Sequence, residues 1–379
     1  MKYLISSVCF FAALATYAGT IDSLENQLKT AQGVERVKVM NELFRAYISS
    51  DPIAAVGYTR EAMILAEKIG DKKGMAASFN NLGVAYRNQG ALDLALANYL
   101  KSLELYTTLQ NAEGIATTKN NIATIYSMKR NYSQALTFYE ESNQGFVALG
   151  NTDQIIGSMN NLGNLHSDLQ LYDKALTYYT DAWKLAEKAG ITFVDPLVNI
   201  GSVYYRQGNY QRAGDFYQQA LELVRKQGNR STELSILSNL GEMYEKAAQP
   251  KQAQKYLDDA LALAAELQAN YMLPQILKSM SANFARQGKM KEAYETLLKY
   301  DGAREKVFGE ESTRRITQMD MALQLQEKEN ALEELQLSDQ NKTLKLRNAQ
   351  IIIVAGVLAL IIGIAGFNML YWRKRRQPQ

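Results

Sequence analysis

The stretch NIGSVYYRQGNYQRAGDFYQQAL, residues 199–221, decides the fold. Ile200, Val203 and Tyr204 recur at helical spacing, Gly208-Asn209 interrupts it, and Tyr210, Ala213, Phe216, Tyr217, Ala220 and Leu221 resume it. The pattern predicts two helices joined at a glycine, where a left-handed cap carries no Cβ penalty. Gly90 and Gly288 stand at the same place in other copies, whereas Arg130, Gln170 and Ala248 replace the glycine at a local cost in stability. Asp195-Pro196 suits the start of this hairpin, with proline in the first turn and aspartate able to cap it.

Working outward, Asn81-Leu82-Gly83, Asn121-Ile122-Ala123, Asn161-Leu162-Gly163, Asn199-Ile200-Gly201 and Asn239-Leu240-Gly241 fall in register at spacings of 40, 40, 38 and 40. A degenerate copy starts at Ser279, and a divergent unit with Asn41, Ala55 and Ala62 precedes the set. Fourteen residues after the six later anchors come Ala95, Ala135, Ala175, Ala213, Ala253 and Ala293, small enough for two helices to meet closely. Tyr99, Tyr139, Tyr179 and Tyr217 follow at offset eighteen as core residues, with Leu257 and Leu297 in the last copies. A fixed period near 40 implies stacked supersecondary units.

The signature Leu82, Gly83, Tyr86, Gly90, Ala95 and Tyr99, and again Ile200, Gly201, Tyr204, Gly208, Ala213, Tyr217 and Ala220, resembles the tetratricopeptide repeat family in its long-repeat branch. The resemblance covers about residues 36–305 and implies an all-α, right-handed superhelix whose first helices line a concave groove. In that groove the candidate ligand-binding residues are Asn80, Asn81, Asn120, Asn121, Asn160, Asn161, Asn199 and Asn239. Amides both donate and accept, so such a row suits the backbone of an extended protein or peptide segment. Equally, one asparagine of each pair can tie adjacent hairpins together.

The ends suggest a membrane protein. Residues 1–18 combine Lys2, an apolar stretch and small residues at Thr16 and Ala18, as in a secretory signal peptide. Residues 351–372 read as a transmembrane helix, with Asn368 the only strongly polar side chain up to Leu370, followed by a basic tail at 373–379. Arg373, Lys374, Arg375 and Arg376 place that tail in the cytoplasm and the repeats in the periplasm of a single-pass inner-membrane protein. Between an N-terminal segment at 19–35, the array at 36–305 and the span lies a charged helical stalk, 306–350. There Ile316, Met319 and Leu323 match one heptad seam and Leu325, Leu332 and Leu335 another, out of phase, as in a weak coiled coil. Gly356, Ala359, Gly363 and Gly366 form a small-residue stripe, so stalk and span together point to a homodimer.

Chemistry is scarce by comparison. The single cysteine, Cys9, lies in the signal segment, and the single histidine, His166, occupies a site held by tyrosine in other copies. No metal site, cofactor or catalytic residue is expected, and the protein is not expected to be an enzyme. The net charge is +3, but Lys2 and the four basic tail residues leave residues 3–372 at −2, with no basic field for nucleic acid. The order of segments resembles the sensor half of tetratricopeptide-containing membrane receptors of Bacteroidetes-type bacteria, without an output domain after Trp372. Three functions are therefore expected in turn: a membrane-anchored scaffold binding a protein or peptide, a receptor subunit signalling through a separate kinase or regulator, and a structural envelope tether.

Overall fold

The computed structural model describes residues 21–48 and 50–375, and within the long last helix the side chains of 310–336, 339–340, 359–361, 363–364 and 367–375 lie outside the description. The expected signal peptide falls on residues that are not described, and all six residues of the expected heptad seam are among those whose side chains lie outside the description. The chain divides into two units, 1–318 and 319–379.

Every regular element described is helical. A short helix α1 (21–30) leads into seven hairpins. These are α2 (Gly33–Tyr47) with α3 (Pro52–Ile69), α4 (Lys72–Asn88) with α5 (Leu92–Thr108), α6 (Ala112–Met128) with α7 (Tyr132–Leu149) and α8 (Thr152–Asp168) with α9 (Tyr172–Ala189). The series continues with α10 (Asp195–Arg206) and α11 (Tyr210–Gln227), α12 (Arg230–Lys246) and α13 (Pro250–Glu266), and α14 (Leu273–Arg286) with the start of α15 (Met290–Arg375). The first unit is an all-α repeat solenoid.

The repeated residues explain why each hairpin closes as it does. A Cβ on Gly83, Gly163 or Gly201 would lie 2.5–2.8 Å from the ring of Tyr99, Tyr179 or Tyr217, so in these hairpins glycine makes room for the ring against the first helix. Gly241 faces Leu257 in the same way. Ala95, Ala135, Ala175, Ala213 and Ala253 are fully buried at the close approach of the two helices. A second ring pairing runs beside the first: Tyr126 on Phe138, His166 on Tyr178, Tyr204 on Phe216 and Tyr244 on Tyr256, with centroids 5.3–5.7 Å apart. His166 thus packs as an aromatic, buried as expected, but its Nδ1 has no hydrogen-bond partner.

Gly90, Gly208 and Gly288 close their first helices at φ of 74–77°, and Arg130, Gln170 and Ala248 adopt the same left-handed conformation at 56–60° despite their Cβ atoms. Helix starts carry side-chain caps, as where Asp51 accepts from the Ile53 and Ala54 amides and Asn111 from that of Gly114. Asp195 corrects the expectation. Val194 occupies the cap position of α10, no side chain caps it, and Asp195 already belongs to the first turn.

At the N-terminal end α1 covers the first hairpin. Leu28 packs on Val37, Met40, Ala62 and Ala66, Arg36 donates to the Leu28 carbonyl at 2.7 Å, and Glu25 accepts from the Tyr47 hydroxyl at 2.6 Å. A solenoid end needs such a cover, because a terminal repeat has no neighbour to bury its apolar face.

Among the described residues no helix is long and apolar enough to cross a membrane. Within the expected span, side chains are described only at 351–358, 362, 365 and 366, where Ile351, Ile352, Ile353, Val354, Val357, Leu358 and Ile362 are all exposed. A Cβ added at Gly356 or Gly366 would meet nothing, whereas Ala359 and Gly363 of the expected stripe are not described.

Candidate functional site

The first helices of neighbouring hairpins touch directly: α2 meets α4, α4 meets α6, α8 meets α10 and α12 meets α14. They form a continuous rank, which the tetratricopeptide resemblance makes the inner one, and the second helices pack between successive first helices. The expected groove asparagines all lie on this rank.

The structure joins them in pairs across repeats. Asn121 Nδ2 donates to Asn80 Oδ1 at 2.9 Å, Asn161 Nδ2 to Asn120 Oδ1 at 3.1 Å, and Asn199 Nδ2 to Asn160 Oδ1 at 3.0 Å. Asn81 reaches back to Asn41, donating to its Oδ1 at 3.0 Å, because Met40 stands where later repeats carry the accepting asparagine. In the three later ties the anchor is the donor and the residue before the previous anchor is the acceptor, whereas Asn81 donates to the previous anchor itself. Each tie uses only half of each amide. The Nδ2 groups of Asn80 and Asn120 and the Oδ1 groups of Asn121 and Asn161 remain over, all on half-buried residues.

The ladder stops after Asn199. Val198 occupies the acceptor position for Asn239, a valine offers no oxygen, and Asn239 makes no hydrogen bond among the described residues. From there longer side chains connect the first helices. Arg206 supplements the last asparagine tie, donating from α10 back to Ser167 Oγ of α8 at 3.1 Å, and the Tyr205 hydroxyl donates forward to Glu242 Oε1 of α12 at 2.8 Å. Gln275 Nε2 donates to Glu242 Oε2 at 2.9 Å, and Arg286 Nε to Glu245 Oε1 at 2.7 Å. The Glu245 side chain is 3% exposed, so its charge depends on Arg286 and on Lys246, 3.2 Å away. Burial raises the Tyr205 phenol above its usual value, and donation to Glu242 raises it further.

Three residues after each anchor sits a position that the asparagine row concealed. Thr124, Asn164 and Ser202 there meet the hydroxyls of Tyr139, Tyr179 and Tyr217 at 2.7–3.0 Å. Val84 cannot, so the buried Tyr99 hydroxyl has no partner, and burial pushes that phenol up to about 12. Glu242 holds this position in the sixth hairpin, where the core tyrosine has become Leu257 and the side chain is released toward its neighbours. Aligning the repeats at this offset is the signal that finds it. Among the described residues no group of three or more His, Cys, Asp or Glu side chains converges as a metal site would require.

The tetratricopeptide repeat model matches the sequence at residues 74–144, 114–188 and 194–266. The chain is similar to the intraflagellar transport protein 88 homolog of Homo sapiens, 29% identical over 115 residues, or 30% of this chain, and it spans 13% of that protein's length. Among solved structures it is similar to the apo form of RapI, at TM-score 0.57 and 16% identity over 72% of this chain and 99% of the other. A Rap protein complexed with competence and sporulation factor gives TM-score 0.54 and 14% identity over 77% and 81%. A signal-transduction ATPase with a tetratricopeptide repeat sensor from Pyrococcus horikoshii gives 0.58 and 16% over 73% and 46%. At these identities the structural likeness concerns the fold alone.

Proposed function

From the premise that residues 74–188 and 194–266 are tetratricopeptide repeats, we propose that the protein is a scaffold that holds an extended segment of a protein or peptide along its inner face. The observation that carries this is the half-used amide ladder. Asn80 and Asn120 each keep a donor, and Asn121 and Asn161 each keep an acceptor, in alternation along the inner rank. An extended backbone presents the complementary alternation of carbonyl and amide groups. A Rap protein of similar fold is seen holding competence and sporulation factor, which supports an array of this kind as a ligand holder.

The ladder also supplies the test. Replacing Asn80 and Asn120 with aspartate keeps the oxygen that accepts from Asn121 and Asn161 and removes only the outward donor. Crosslinked capture from intact membranes should recover defined partners with the unaltered protein. With Asn80→Asp/Asn120→Asp their affinity should fall roughly ten- to a hundredfold, from two lost hydrogen bonds of ~0.5–1.5 kcal/mol each and the added charge, with little change in melting. Unchanged capture by a stable double variant would move recognition away from this face.

The same reading places the array outside the cytoplasm on a membrane anchor. Twenty residues, 351–370, carry one strongly polar side chain, and every large apolar side chain described there is exposed rather than packed in a core. Alkaline phosphatase fused after Gln340 should be active, and activity from a fusion after Gln379 instead would reverse the topology.

A further inference from the structure

Among the described residues helix α12 carries one carboxylate that no cation pairs with. Helix α12 has three glutamates, and two are matched by cations: Glu233 by Arg225 and Arg230 at 2.8 and 2.7 Å, Glu245 by Arg286 and Lys246. Glu242 forms no ion pair among the described residues. Both its oxygens accept instead from neutral donors on the flanking first helices, Tyr205 of α10 and Gln275 of α14.

No neighbouring cation forms an ion pair with Glu242 among the described residues. Arg206, adjacent to Tyr205, donates to Ser167, while Lys246, one turn after Glu242, and Arg286 serve Glu245. Lys278, one turn after Gln275, is exposed and pairs with no carboxylate among the described residues. Two neutral hydrogen bonds from two different helices fix the position of a carboxylate without cancelling its charge. Each oxygen also keeps a lone pair, since a carboxylate accepts about four hydrogen bonds in all. One turn before Glu242 on the same face, Asn239 has an amide with no partner. The half-buried Tyr205 ring lies alongside, and an aromatic face beside a carboxylate is a surface that attracts a desolvated cation.

We infer that Glu242, with Tyr205 and Asn239, is a subsite for a lysine or arginine side chain of the segment held along the inner face. This rests on the groove reading above and adds a polarity to it. The amide half pairs with backbone and carries no sequence preference, whereas the Glu242 half selects a cation and sets the register. A carboxylate already cancelled by an arginine, like Glu233, offers nothing to such a side chain; one held by neutral donors offers its whole charge.

The test uses the full chain purified in detergent and a phage-displayed library of random peptides about twelve residues long. Peptides retained by the protein should share a lysine or arginine at one position. Their affinity should fall about tenfold or more with Glu242→Gln, which keeps an oxygen to accept from Tyr205, and equally when the basic residue becomes norleucine. The two changes together should cost little more than either alone. Binding should also weaken as salt rises, a measurement that needs no variant. Retained peptides without a shared basic residue, or with affinity unchanged by Glu242→Gln, would overturn the subsite. The groove reading fails separately. Peptides that lose affinity with Glu242→Gln but not with Asn80→Asp/Asn120→Asp would support the subsite and refute the amide ladder as a binding surface; if no peptide is retained at all, both fall.

Discussion

The two halves of the inner rank solve one problem with different chemistry. From α2 to α10 adjacent first helices are tied by asparagine pairs, short neutral side chains that reach only the next repeat and, at Asn80, Asn120, Asn121 and Asn161, leave half of the amide over. From α10 to α14 the ties are made by Tyr205, Gln275 and Arg286, long side chains that converge on the carboxylates of Glu242 and Glu245. The switch falls where Val198 replaces an asparagine. A neutral tie is cheap to break where both residues are half-buried and water can replace it, as at Asn80 with Asn121 and Asn120 with Asn161. A tie to a buried carboxylate is costly to break because the remaining charge has nowhere to go.

That difference predicts the largest effect in the charged half. Arg286→Met leaves the Glu245 carboxylate buried with Lys246 alone, and should destabilise the array by about 3 kcal/mol in denaturant unfolding. A loss below ~1 kcal/mol would show that Lys246 suffices and that the two halves are tied with equal strength.

Next comes a contrast in packing. Gly163→Ala drives a Cβ into the Tyr179 ring, whose hydroxyl is also held by Asn164 at 2.7 Å, whereas Gly241→Ala meets the Leu257 side chain, which no hydrogen bond holds, with the Leu257 backbone N at 3.3 Å. We expect a loss of ~1–3 kcal/mol for Gly163→Ala and less for Gly241→Ala. The array contains a natural version of the first change. Ala123 faces Tyr139, which is 5% exposed where Tyr99, Tyr179 and Tyr217 are 0–2%. Equal melting shifts for the two variants would mean that the tyrosine ring moves as freely as the leucine.

A smaller effect separates the ladder from its end. Asn161→Ala should cost ~1 kcal/mol by removing the tie to Asn120, and Asn239→Ala, which has no tie to lose, should lie within ~0.5 kcal/mol of the parent or slightly above it from helix propensity. If both cost the same, the anchor position contributes through something other than the ladder.

The smallest expected effect concerns pH. Burial is the main cause that holds His166 below its ordinary value of 6.5, with Lys174 adding to it and Glu140 opposing. The folded protein therefore binds the proton less readily than the unfolded chain. Stability from this site is complete above about pH 6.5 and declines as the pH falls from there through the lowered folded value. His166→Tyr restores the residue found in other repeats and should remove that part of the acid-side decline. Parallel melting curves at pH 7.5 and 5.5 decide it; an equal acid shift in both proteins would mean that His166 titrates normally.

Much of this architecture was legible in the chain. The hairpins, the turn glycines, the buried alanines and tyrosines and the aromatic role of His166 follow from period and residue size, because each repeat sees nearly the same surroundings. Asp195 was not legible, since a one-residue shift in where α10 begins separates a cap from a first-turn residue. Nor was the use of the asparagines. Paired amides at a period of 40 are compatible with a ligand surface and with an inter-repeat tie, and the choice depends on whether the amide of one first helix comes within about 3 Å of the amide of the next.

What the sequence determined by itself is therefore the repeating part: two helices per unit, their facing residues and their order, all local or set by the next unit along. What only the tertiary structure decided is which half of each amide is consumed, and that Glu242 is held by two neutral donors while its sister glutamates are matched by cations. Those facts depend on side chains from repeats 33 to 41 residues apart meeting at hydrogen-bond distance. No spacing along one chain specifies such a meeting, because the angle at which successive hairpins stack decides which atoms of facing residues touch.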